Sequence, residues 1–142
     1  MDKKNRQIED ILKKIQKILK AVQAHSKYVE EQCGLSSAKL WMLYEIAQNP
    51  GLKVSQLATA LSIHPSTCSN MLDKLEEMNL VYRDRSKKDQ RSVHLNLTEQ
   101  GVDLLKQAPK PVQDKLYSAL ERLTPSQLNG LEAGLENLFR TW

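Results

Sequence analysis

The chain has 142 residues, a formal net charge of +4 and a sequence pI of about 9.1. That length suits one domain with a single core of ordinary size, and the charge permits a polyanionic partner without requiring one. No apolar run approaches a membrane span and no signal peptide opens the chain, so a cytoplasmic protein with no membrane partner is expected.

Ile8, Ile11, Ile15, Ile18 and Val22 recur in steps of three and four, with Leu12 and Leu19 widening the stripe. This predicts an amphipathic helix from about Asn5 to a stop at Gly34. One stripe of this length exceeds what a small domain covers alone, so it is expected to pack against a second subunit. Ser36 or Ser37 can cap the next helix, whose buried face is read as Leu40, Leu43, Tyr44 and Ala47. Asn49-Pro50-Gly51 ends that helix.

Residues 54–101 then read as helix, tight turn, second helix and basic hairpin. Ser55 is the expected cap of the first helix, and Pro65 suits the first turn of the second. With Ser62 at the turn, Leu57, Ala58, Leu61, Ile63, Cys68, Met71 and Leu72 face inward. Pro65, Ser66, Thr67, Ser69, Asn70, Asp73 and Lys74 are left to face outward. A helix that buries one face and offers hydroxyls, an amide and a lysine on the other suits the major groove of DNA. The runs 81–83 and 92–97 have strand composition, the second alternating Val93, Leu95 and Leu97 with polar residues. Between them residues 84–91 contain no apolar side chain and form the expected solvated loop of a wing. From Tyr82 to Arg91 five basic residues face two acidic ones, and the first twenty residues carry seven basic against three acidic.

Thr98 caps a further helix, which Pro109 and Pro111 must break. A second stripe resumes with Val112, Leu116, Leu120 and Leu123. Thr124-Pro125-Ser126-Gln127 combines a cap, a first-turn proline and a glutamine three residues on. Leu128, Leu131, Leu135, Leu138 and Phe139 form the last apolar face.

The segment Asp89-Gln90-Arg91 followed by a strand and Leu97-Thr98-Glu99-Gln100-Gly101, together with the helix pair before it, resembles the MarR (multiple antibiotic resistance regulator) family of winged-helix transcription factors. The resemblance covers essentially the whole chain. It implies a mainly α fold with a small β-hairpin wing, a winged helix-turn-helix with N- and C-terminal dimerisation helices. Residues 1–35 would be the N-terminal dimerisation helix, 36–101 the DNA-binding region and 102–142 the C-terminal dimerisation helices, one intertwined domain overall. The implied partners are double-stranded DNA and a second copy of the chain. Many relatives also bind a small, often aromatic and anionic, effector. The resemblance further implies that Arg91 enters the minor groove and that Asp89 braces the wing.

Residue chemistry supports these roles. A guanidinium on a hairpin tip, as at Arg91, suits a narrow groove of strongly negative potential. Arg83, Arg85, Lys87 and Lys88 are expected phosphate contacts, as is Lys74. Asn70 can pair with adenine, and Ser66, Thr67 and Ser69 can reach a base edge or phosphate, although short hydroxyls are also ordinary helix-start residues. Asp73 would repel phosphate and is expected to orient a basic neighbour. His64-Pro65 can simply shape the turn.

Cys33 and Cys68 raise the possibility of redox sensing, against which Cys68 falls on the packing face. They make no disulfide framework. His25, His64 and His94 lack ligand-like spacing, so neither metal nor cofactor is expected. Trp41, Tyr44 and Tyr28 could line an effector pocket or simply belong to the core. No phosphate loop or nucleophile motif suggests an enzyme. The reading reached is a homodimeric sequence-specific DNA-binding regulator, a repressor, on a pseudo-palindromic site. A winged-helix protein-interaction module and a non-specific architectural DNA binder remain the alternatives.

Overall fold

The structure, a computed structural model, describes residues 2–85 and 92–142. It divides into two compact units, one through Pro111 and one from Val112 to Trp142.

In the first unit, α1 (Lys3–Cys33) spans 31 residues and ends where Gly34 turns left-handed at φ 75°. A residue with a side chain resists that conformation, which is why the helix stops there. The first half of its apolar stripe is left substantially exposed. Ile8, Ile11, Leu12, Ile15, Ile18 and Leu19 are each 37–55% exposed, and Val29 alone in the helix is fully buried.

Ser36 caps α2 (Ser37–Gln48) through its hydroxyl, which accepts the Lys39 N–H. The buried face of α2 is Leu40, Met42, Leu43 and Ile46; Tyr44 is half-buried and Ala47 is exposed. The expected face was therefore rotated. Ile46 fills the last-turn position assigned to Ala47 because the core lies nearer the Leu43 side of the helix.

Helix α3 (Val54–Leu61) begins two residues earlier than a cap at Ser55 would place it. Lys53 is the cap residue, and the Gln56 side chain accepts its N–H at 3.0 Å. Ser62 then turns left-handed at φ 55°, and α4 (Pro65–Glu77) starts with Pro65 in its first turn. His64 caps α4, its Nδ1 accepting the Ser66 N–H.

Among the described residues three strands complete the unit: β1 (Leu52–Lys53), β2 (Val81–Arg85) and β3 (Val93–Leu97), all antiparallel in the order β1-β3-β2. Sequence patterning implied only a hairpin. The extra strand forms because Gly51, at φ 82°, bends the chain so that its N–H donates to Leu95 O and Leu52 pairs with Leu95. His94 Nδ1 donates to Gly51 O at 2.8 Å and pins the same bend. Strand β2 also runs two residues further than its apolar composition suggested, since Asp84 and Arg85 pair with His94 and Val93.

The core gathers Leu35, Met42, Leu43 and Ile46 with Leu57, Leu61, Cys68, Leu72 and Leu75, and with Leu80, Val81 and Leu95 of the sheet region. Full burial of each large aliphatic side chain contributes roughly 1.5–3 kcal/mol, so this cluster fixes the angle between α3 and α4. Thr98 caps α5 (Glu99–Gln107), and its hydroxyl also donates to Asn79 O. Gly101 lets α5 approach the end of the α4–β2 turn: a Cβ there would lie 2.2 Å from Leu80 O.

The second unit holds α6 (Val112–Glu121) and α7 (Pro125–Arg140). Thr124 and Gln127 exchange the two hydrogen bonds of a capping box at the start of α7. Leu128, Leu131, Leu135 and Leu138 on α7 remain 38–45% exposed, and Phe139 and Trp142 more so.

Candidate nucleic-acid interface

Helix α4 presents the outward face expected of it. Pro65, Ser66, Thr67, Asn70, Asp73 and Lys74 are exposed, and Ser69 is half-buried. Cys68, Leu72 and Leu75 anchor the opposite face in the core. Helical periodicity thus puts the polar set on one side, on a helix whose position the core determines. Ser66 Oγ lies 2.7 Å from His64 Nδ1, so its hydroxyl is engaged at the helix start. Thr67, Asn70 and Lys74 form the freer part of the face.

Arg83 ties this helix to the sheet. Its Nη2 donates to Asp73 Oδ1 at 2.9 Å and to Ser69 O at 3.3 Å. Its Nε lies 3.0 Å from Glu76 Oε1, an ion pair without an aligned hydrogen bond. Asp73 therefore orients a basic side chain, as its position suggested. Arg83, expected at phosphate, has its guanidinium occupied by two carboxylates and a carbonyl of α4. Glu76 was not singled out from the sequence. The signal was present, because residues 73 and 76 lie three apart and so on one face of a helix.

Arg85 is exposed at the end of β2, and Tyr82, on the same strand, is 49% exposed. Lys87, Lys88, Asp89 and Arg91, the remaining wing residues named from sequence, lie outside the described residues.

The cysteines differ in setting. Cys68 is fully buried, and burial raises its thiol pKa from 9.0, with the Arg83 guanidinium pulling weakly the other way. A reactive sensor thiol needs the reverse, a depressed pKa and access to solvent. Cys33 is half-buried and donates to Val29 O.

A cavity of about 510 Å³ lies between the end of α1 and α5, lined by Gln32, Cys33, Asp103, Leu104, Gln107 and Ala108. Trp41, Tyr44 and Tyr28 are not among its lining. Trp41 packs on the core with its Nε1 donating to Glu45, and Tyr28 is half exposed beside His25. Among the described residues no cluster of three or more His, Cys, Asp or Glu side chains could hold a metal ion, and no helix is long and apolar enough to cross a membrane.

Comparison with known proteins agrees with this geometry. The sequence model of the MarR family matches residues 35–93, from the start of α2 into β3. The HTH-type transcriptional repressor MdtR of Bacillus subtilis is 32% identical over 94 residues, covering 66% of this chain and 61% of that protein, so the match spans under two thirds of its length. The HTH-type transcriptional repressor Mb2911 of Mycobacterium bovis is 33% identical over 105 residues, covering 74% of this chain and 76% of that one. Among solved structures, Streptococcus pneumoniae FabT in complex with DNA superposes with a TM-score of 0.63 at 20% identity, over 96% of each chain. The fold is that of a winged helix-turn-helix. The chain belongs to the MarR family.

Proposed function

We propose that the chain is a homodimeric, sequence-specific DNA-binding transcriptional regulator that acts as a repressor in the cytoplasm. The observation that carries this reading is the outward polar face of α4, anchored by the core from behind and by Arg83 from the side. Thr67, Asn70 and Lys74 then read and grip the major groove, with Asn70 suited to adenine and Lys74 to phosphate. The names of the relatives, which are transcriptional repressors, and the DNA-bound state of one structural neighbour support the same reading.

The dimer is inferred from the stripe on α1. Six large aliphatic side chains in water along one helix form a patch that single-chain folds seldom leave uncovered. A two-fold pair would place two α4 helices in successive major grooves, about 34–36 Å apart, on a pseudo-palindromic site. Arg91 would enter the flanking minor groove from the wing, with Asp89 bracing it and Arg85, Lys87 and Lys88 contacting phosphate. An effector, of the small aromatic or anionic class common among relatives, would act by changing the separation of the two α4 helices.

Selection from a random duplex pool, followed by anisotropy titration of the winner and a scrambled control, tests this reading. An enriched inverted repeat bound roughly a thousand-fold better than the control is expected. Binding without an enriched motif would replace it with an architectural role. Arg91→Ala is expected to weaken binding to the selected site while leaving the dimer intact.

A further inference from the structure

The polar face of α4 has a neighbour on another helix. Lys39, in the first turn of α2, lines a concavity of about 150 Å³ together with Thr67, Asn70, Met71 and Lys74 of α4. Sequence distance hides this juxtaposition, because Lys39 lies 28 or more positions from each of the others in the chain. The concavity is smaller than the roughly 300–1,000 Å³ that organic ligands occupy, so it suits one group of a larger molecule. Its two charged liners are both ammonium groups, and neither is ion-paired to a carboxylate of a described residue. Asp73, the nearest acidic residue of α4 in sequence, is held by Arg83 instead. Two cations beside a hydroxyl and an amide favour an oxyanion, which Lys accepts as a compact point charge with three donors.

Three of the liners, Thr67, Asn70 and Lys74, belong to the face proposed to meet DNA. An anion seated among them is therefore most economically part of the same ligand. We propose that Lys39 is a positioning residue for DNA binding, holding with Lys74 a phosphate of the strand that passes along the α2 edge of α4. That contact sets the orientation of Asn70 toward the bases, since phosphate contacts fix register while base contacts specify. The inference rests on the DNA-binding reading.

Its test is the salt dependence of binding to the selected duplex, followed by anisotropy between about 50 and 200 mM salt. Lys39→Gln is expected to reduce the slope of log affinity against log salt by about one, without changing the ranking of duplex sequences. Lys39→Arg is expected to keep the wild-type slope. A wild-type slope in Lys39→Gln would overturn the proposal and leave the regulator reading standing, whereas failure of the wild-type protein to bind any duplex would overturn both. Amine-reactive labelling of the wild-type protein gives a second readout that needs no variant. Protection of Lys39 by the duplex supports the contact, and equal labelling with and without DNA refutes it.

Discussion

Arg83 on β2 reaches across to α4 and meets Asp73 at 2.9 Å, so the wing strand and the candidate recognition helix are joined by a side-chain pair as well as by the core. Asp73 leaves more than half of its side chain in solvent, and Arg83 under a third. The pair is therefore screened, and its direct contribution to stability is small, about 0.5–1 kcal/mol. Its larger effect is geometric, because it restrains the rotation of α4 about its axis.

Arg83→Met is accordingly expected to weaken specific duplex binding about tenfold while lowering the melting temperature only slightly. Arg83→Lys should fail to restore affinity, since one ammonium cannot meet Asp73, Glu76 and Ser69 O in the planar arrangement a guanidinium provides. Combining Arg83→Met with Asp73→Asn in a double-mutant cycle measures the coupling. Fully additive losses in DNA affinity would remove the bracing role.

The exposed stripe of α1 predicts that Ile11→Asp combined with Ile18→Asp yields a folded monomer. Both positions are about half exposed in the single chain, so charge there costs the isolated subunit little. Sedimentation analysis should show loss of the dimer, and binding to an inverted repeat should fall by orders of magnitude. A double variant that still sediments as a dimer would move the interface elsewhere.

Glycines 34 and 101 separate two kinds of constraint. Gly34→Ala meets open space but must keep φ at 75°, a cost of about 1 kcal/mol. Gly101→Ala drives a Cβ to 2.2 Å from Leu80 O, so backbone must move and about 3 kcal/mol is expected to be lost. Urea denaturation ranks the two variants directly, and an equal or reversed ranking would contradict the close approach of α5.

Cys68 makes stability depend on alkaline pH. Burial raises its pKa above 9.0, so the unfolded chain releases the proton first. The protonated thiol's contribution is complete below pH 9.0 and is lost as pH climbs through the higher folded value. Cys68→Ala is expected to flatten the stability profile above about pH 9, although it loses some packing at all pH values. In the native protein at pH 7.5, iodoacetamide should modify Cys33 well before Cys68; the opposite order would mean that the α3–α4 packing opens readily.

Where residues signal through local pattern, the sequence was legible. Gly34, Pro65, Thr98 and the Thr124–Gln127 box mark helix ends by capping chemistry that acts within a few residues and appear where expected, and of the two caps open for α2 the structure uses Ser36. Strand β1 was not legible because two residues carry no periodicity; it forms where Gly51 and Leu52 meet His94 and Leu95 of β3, 43 residues further along the chain. Ser55 was the expected cap of α3, but the cap falls two residues earlier at Lys53, whose N–H the Gln56 side chain accepts. The polar face of α4 followed from helical spacing alone. The pairing of Arg83 with Glu76 and the approach of Lys39 to Asn70 did not, since both depend on how separate elements pack.

The order β1-β3-β2 leaves both outer strands of the sheet open to a stray neighbour, a hazard for any chain before its partners are in place. The two edges are guarded differently. β1 is only two residues long and offers almost no template, while β2 places Arg83, Asp84 and Arg85 in sequence along its length. An incoming strand would have to bury those charges to extend the ladder. That run of charges works against edge-to-edge pairing of β2 with a second strand.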